Sequence, residues 1–169
     1  DRTPTKSSKS GLPGHELRTI SVASDLKPAI TPCRYPFRSF DRQWIIPDNR
    51  LINRPNPKLW STHSRKQVYL TALAQLSPTS GPAASLCSDV PDLHHYKGSF
   101  GGRAFPLWRD AAASIPNVKP ALLAYLGASY GGAVSAEDLM AYIAALVAHP
   151  DFTARFADDL LQPGLRLRE

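Results

Sequence analysis

Between Tyr35 and Trp60 the chain sets arginines, asparagines and aromatic rings side by side. It reads Tyr35-Pro36-Phe37-Arg38-Ser39-Phe40-Asp41-Arg42-Gln43-Trp44, then Ile45-Ile46-Pro47-Asp48-Asn49-Arg50, then Leu51-Ile52-Asn53-Arg54-Pro55-Asn56-Pro57-Lys58-Leu59-Trp60. Arginine presents a rigid fork of donors that matches phosphate or a guanine edge, and asparagine pairs a donor with an acceptor as adenine requires. Such a mixture suits a surface that holds a polyanion and reads polar edges. It also suits a proline-rich surface loop whose arginines are solvated or paired with Asp41 and Asp48. Residue types alone leave both readings open, since a basic patch is only an electrostatic footprint.

A second cluster, Pro91-Asp92-Leu93-His94-His95-Tyr96-Lys97, holds ligand and proton-transfer types. Asp92, His94 and His95 could hold a metal together with a distant Cys87 or His63. Adjacent histidines in an extended segment point to opposite sides, however, and make a poor ligand pair. One buried, hydrogen-bonded histidine beside one facing solvent fits the spacing better, and contact with DNA fits its polarity. Gly98-Ser99-Phe100-Gly101-Gly102-Arg103 lacks the spacing of a phosphate-binding loop and reads as a tight turn with positive φ. Cys33 and Cys87 stand at no motif spacing from a base, so nucleophilic catalysis has no support. The Asn-Pro-Pro-Tyr or Asp-Pro-Pro-Tyr tetrad of amino-methyltransferases is absent, and Asn56-Pro57-Lys58 is only superficially like it.

The bulk properties set bounds on these sites. A chain of 169 residues suits one domain with a real core, or one domain with an appendage. Residues 1–70 carry 13 Lys+Arg against 5 Asp+Glu, a net +8, whereas residues 71–169 carry 7 against 9, a net −2. The asymmetry points to a first half that meets a polyanion and a second half that serves as scaffold. No apolar run is long enough to span a bilayer. Two cysteines make no disulfide framework, so a cytoplasmic setting, without zinc or a Cys33–Cys87 bridge, is expected. The chain opens at Asp1 without an initiator Met, which suggests a piece of a longer polypeptide.

The elements that must position these residues follow from periodicity and punctuation. Residues 1–30 read as a linker or extended arm, with a possible short strand at Ile20 and Val22. Residues 31–110 read as a sheet-rich recognition part, and 111–169 as a helical subdomain. Gln43–Ile46 is a strand stopped by Pro47 and the turn residues Asp48-Asn49. Gln67–Leu73 is the strongest strand, and the turn Ser77–Pro82 returns the chain through Ala83–Cys87 as a hairpin. Ala104–Trp108 adds another strand. Pro120–Tyr130 reads as a helix with Pro in its first turn. Ser135 and Asp138 form a capping box for a helix that lines up Leu139, Ile143 and Leu146, flanked by Met140 and Val147. Pro150 stops it. Asp151 caps a further helix bearing Phe152, Phe156 and Leu160, which Pro163-Gly164 ends. The expected fold class is α+β: a mostly antiparallel sheet in the first two thirds, packed with about three short C-terminal helices.

The stretch Tyr35–Trp44 resembles the Tyr-x-Pro-Phe-Asp-x-Arg-Trp type signature near the start of target-recognition domains in large bacterial restriction–modification enzymes. Pro47–Pro55, Leu93–Arg103 and Ala136–Leu139 extend the match to the C-terminal specificity domain of type ISP enzymes, the single-polypeptide type I restriction–modification proteins. The resemblance covers most of the chain after about Thr3. In that family one polypeptide carries a nuclease, an ATP-driven translocase, an adenine-N6 methyltransferase and then this domain. The resemblance therefore implies sequence-specific binding of double-stranded DNA in phage defence. It also implies S-adenosylmethionine, ATP and Mg2+ as cofactors of the parent polypeptide, with none in this part.

Residues and resemblance together predict a recognition module with no catalytic residues and no metal. Arg38, Arg42, Arg50, Arg54, Lys58, Arg65, Lys66 and Lys97 are the expected phosphate contacts. Asn53, Asn56, His94 and Arg103 are the expected readers of base edges. Phe37, Phe40 and Trp44 are assigned to a core beneath the basic face. The competing expectation is an interaction module that docks on the methyltransferase or helicase parts with little DNA contact. Metal-dependent hydrolysis at Asp92, His94 and His95 is a third.

Overall fold

The computed structural model describes residues 24, 26, 30–48, 50–52, 56–74, 80–96 and 101–160. Two small antiparallel sheets precede most of the helices, an α+β arrangement as expected. The first sheet is a ribbon of β1 (Cys33–Arg38) and β2 (Asp41–Ile45), joined by the two-residue turn Ser39-Phe40. The second has the order β4-β3-β5, with β3 (Tyr69–Leu73) between β4 (Ala84–Cys87) and β5 (Gly102–Pro106). The hairpin and the further strand expected from sequence are both present. The expected strands at Ile20 and Val22 and the helix stop at Pro163-Gly164 lie outside the described residues.

β3 runs between the two cores, and all five of its residues are buried. Strand alternation sends Tyr69 to one side, where it meets Trp60, Cys87 and Val90. It sends Leu70 and Ala72 to the other, where they meet Ala83, Ala84 and Val147. The first core is roofed by the ribbon through Cys33, Tyr35 and Ile45 and by α1 (Pro57–Trp60) through Leu59. The second is covered by helices. Gln67 completes the strand's entry: its side-chain amide donates to the carbonyls of Thr62 and Trp108 at 2.7 and 2.9 Å and accepts from Trp108 N–H at 3.0 Å.

β1 runs through Pro36, a residue that argues against a strand. The hydrogen bonds explain the exception. Pro36 O faces away from β2 and accepts from Asp92 N–H, so its nitrogen faces the same way, where the ladder needs no donor. A register shift between Pro36 and Arg38 then bulges the strand next to the turn.

The helices are α2 (Pro120–Tyr130), α3 (Ala136–Ala148), α4 (Pro150–Arg155) and α5 (Ala157–Leu160). α2 has the bounds read from sequence, with Pro at its start and Gly131 closing it at φ 72°. The capping box of α3 is present: Ser135 Oγ accepts from Asp138 N–H at 3.0 Å, and Asp138 Oδ2 accepts from Ser135 N–H at 3.0 Å. The Ser135 hydroxyl, 2.7 Å from Asp138 Oδ2, and then the Ser135 N–H hold the Asp138 carboxyl below the usual carboxylate range. Three expectations need correcting. The α3 residues that meet the core are Met140, Ile143 and Val147, while Leu146 is exposed. His149, not Asp151, caps α4, because Pro150 already occupies the first helical position. The last expected helix is broken at Phe156 into α4 and α5. Among the described residues no helix is long and apolar enough to cross a membrane.

Candidate nucleic-acid interface

Among the described residues the ribbon is fastened along one edge. The segment Pro91–Tyr96 lies beside β1 and ties to it by backbone: Asp92 N–H donates to Pro36 O at 3.2 Å, and Ser39 N–H donates to His95 O at 2.8 Å. Side chains reinforce the seam. His95 Nδ1 donates to Pro36 O at 3.1 Å. Asp92 accepts from Tyr35 Oη at 2.9 Å, from Arg38 Nη1 at 3.1 Å and from His94 N–H at 2.8 Å. Burial, then the Asp92 charge, raises the Tyr35 phenol well above its usual range. Burial lowers the His95 imidazole, against the opposing pull of the Pro36 carbonyl and Asp92. The pair of histidines follows the expectation at His95 but not fully at His94. His95 is buried, while the half-buried His94 accepts from Gly101 N–H at 3.0 Å through Nδ1.

The opposite edge, β2, has no strand neighbour among the described residues and is exposed from Asp41 to Trp44. Arg34 and Trp44 are cross-strand partners, and the Arg34 guanidinium lies 4.1 Å from the centre of the indole ring. Arg42 and Gln43 stand exposed beside them, with Gln43 Nε2 donating to Asp41 Oδ2 at 3.2 Å. Trp44 is 63 % exposed and Phe40 fully so, which overturns their assignment to the core. A two-stranded ribbon has one covered face, and Tyr35 and Ile45 already fill it. Phe37 is half-buried, with the Arg38 guanidinium 3.9 Å from its ring centre.

A cleft of about 460 Å³ opens between ribbon, α1 and the second sheet, and its walls include Tyr35, Trp60, Asp92, Asn56 and Arg103. Tyr35 and Trp60 stack across it at 6.5 Å with their planes 3° apart. Asn56 and Arg103 thus come to one place, but on different terms. Asn56 Oδ1 is engaged as the cap of α1, accepting from Leu59 N–H at 3.2 Å. Arg103 is exposed and pairs in register with Ala72 of β3, with no hydrogen bond of its side chain holding it in place among the described residues.

The other expected contacts separate into groups. Lys58, Arg65 and Lys66 are exposed. Arg38 is part-buried and paired with Asp92. Arg50 is the clear departure: it and Asp48 are each 3 % exposed, with Nη2 to Oδ2 at 2.6 Å and Nε to Oδ1 at 3.0 Å. A guanidinium held inside by a buried carboxylate is a turn brace rather than a surface contact for phosphate. Asn53, Arg54 and Lys97 lie outside the described residues. Arg34, Gln43 and the exposure of Phe40 were not anticipated as site features: Gln43 was read only as the start of a strand, and Pro36 hid the strand that pairs with it. The alternation of Arg34 with Tyr35 and of Arg42 with Gln43 was the available signal.

Cys33 and Cys87 are free, and burial, with the nearby Asp89 charge second, pushes the Cys87 thiol up to about 12. Cys33 shifts upward for the same reasons. Among the described residues no group of three or more His, Cys, Asp or Glu could hold a metal ion.

The model of the type ISP C-terminal specificity domain matches residues 3–168, nearly the whole chain. None of the curated proteins and none of the solved structures matches it.

Proposed function

The chain belongs to the type ISP C-terminal specificity domain family, whose role is target recognition and not catalysis, and from that premise we propose that it reads double-stranded DNA through the β1–β2 ribbon. In this reading it directs an adenine-N6 methyltransferase and a translocase–nuclease elsewhere in a parent polypeptide, which supply S-adenosylmethionine, ATP and Mg2+ chemistry. The observation that carries the reading is the open β2 edge, where Arg42, Gln43 and the Arg34–Trp44 stack are exposed together while the other edge is tied down. A two-stranded ribbon is narrow enough to enter a major groove about 12 Å wide. Arg34 and Arg42 take phosphates there, with Lys58, Arg65, Lys66, Arg54 and Lys97 extending the footprint. The Gln43 amide has the donor–acceptor pair that adenine presents. Asn53, Asn56, His94 and Arg103 remain flanking base readers in this proposal.

Binding to randomised duplexes at two salt concentrations tests it. The affinity should fall steeply with salt, and Arg42→Ala should flatten the slope by about 0.9. Binding that ignores salt, or no binding, would sink the reading. One feature favours a second role at the other end. α2 carries no charged residue, buries none of its side chains and leaves Leu122, Tyr125 and Tyr130 exposed. Such a face suits docking on the methyltransferase or helicase parts, and that role becomes the main one if DNA binding fails.

A further inference from the structure

Resting on the DNA reading above, we propose that Phe40 is a wedge: the tip of the ribbon inserts its ring between two base pairs and selects a flexible pyrimidine–purine step. Phe40 is fully exposed and sits at φ 69°. Both conditions are unfavourable for a large apolar L-residue. Glycine, asparagine or aspartate would relieve the backbone at this turn position and leave no ring in water. The fold gains nothing visible from the ring, so its benefit lies in what the tip meets.

The tip is built to hold its aim. Directly before Phe40, the Ser39 backbone N–H and Oγ both bond to His95 O, at 2.8 and 3.2 Å. Arg38, one residue earlier, is braced by Asp92. Behind the ring stand exposed Arg42 and Arg34, and the one acid of the hairpin, Asp41, is occupied by the Gln43 amide. An apolar protein pocket would be matched by an apolar rim around the ring. Here the rest of the hairpin exposes Arg34, Arg42 and Gln43, with one indole stacked under a guanidinium, which complements an anionic partner with an apolar interior, and stacked bases between phosphate backbones are that partner. Apolar wedges that enter from the minor groove unstack a step and kink the duplex by about 20–90°, and a ring at the tip of a major-groove ribbon acts on the same stacking. Pyrimidine–purine steps yield most easily, so the wedge contributes to sequence choice without touching a base edge.

The test begins with a duplex selected from a randomised pool by the wild-type chain. 2-Aminopurine replaces each adenine in turn, and fluorescence is read at saturating protein. One position, at a pyrimidine–purine step, should brighten on binding. Phe40→Ala and Phe40→Gly should bind about ten- to a hundred-fold more weakly and lose the brightening at saturation. Phe40→Leu should keep part of it. Phe40→Gly should meanwhile raise the melting temperature by about 2–4 °C, which separates loss of the wedge from loss of the fold. Arg42→Ala should weaken binding through its salt dependence and still brighten at saturation. If no position brightens, or if Phe40→Ala and Phe40→Gly brighten it as the wild type does, the wedge is wrong and the DNA reading stands. If the wild type selects no duplex, both fall.

Discussion

In the three-stranded sheet, polar groups are matched inside. Thr71 is buried with its hydroxyl 2.9 Å from Ser85 Oγ, and Gln67, 1 % exposed, satisfies Thr62 and both backbone groups of Trp108. In the ribbon, four consecutive residues of β2 are exposed, and an indole and a guanidinium stack in water rather than in a core. Arg50 and Arg42 show the difference in one residue type. Arg50 is buried against Asp48, and Arg42 is out in solvent eight positions earlier. A polar side chain that the fold has already used is costly to remove and poorly placed to bind. One left outside is cheap to remove and free to act.

That contrast is open to measurement. The largest effect belongs to Asp48→Ala, which strands a buried guanidinium and should cost about 3–5 kcal/mol in urea unfolding. A loss below about 1 kcal/mol would mean the pair is wet and the contrast overstated. Gln67→Leu keeps the volume but takes a partner from the backbone groups of Thr62, Val68 and Trp108, which are buried or part-buried, and should cost about 2–4 kcal/mol by the same assay. Arg42→Ala should leave stability within about 0.5 kcal/mol of wild type while flattening the salt slope of duplex binding. A marked stability loss there would place Arg42 with the inward-facing class.

The smallest effect is a pH dependence. Burial holds the His95 imidazole below its ordinary 6.5, so the folded chain favours the neutral ring. Above that value both states are neutral and the contribution is complete. As pH falls through it the unfolded chain takes up the proton first, and stability declines until the lower folded-state value is passed. Melting temperature should therefore drop between about pH 7.5 and pH 5.5, and His95→Asn should flatten the drop.

Much of the scaffold was legible in the residues because its signals are local. Pro120 and Gly131 frame α2, Ser135 and Asp138 cap α3, and Ser77–Pro82 announces the hairpin that forms β3 and β4. The ribbon was harder to see for non-local reasons. Pro36 denies a strand unless its nitrogen points away from the partner, and only the position of Asp92 shows that it does. Asp41 and Asp48 were both possible partners for arginines, and the one pair that buries itself depends on how the turn at Asp48 folds. Short α1 was hidden in a run of prolines, although Asn56 and Pro57 are a usual cap and first residue. The sequence singled out the stretch, and the fold distributes its side chains differently, with Arg50 turned inward and Phe40 and Trp44 outward.

β3 is a wall shared by two rooms: Tyr69 belongs to the core under the ribbon, and Leu70 and Ala72 to the core under α3 and α4. Neither side can be emptied without exposing the same strand. The recognition end and the helical end should therefore melt as one cooperative unit rather than in sequence. The amides of Tyr69–Leu73 should be the last to exchange with deuterium, at the rate of global unfolding, while those of β2 exchange by local opening. A chain assembled in this way can present a strained, exposed tip at one end because the stability that tolerates it is drawn from both.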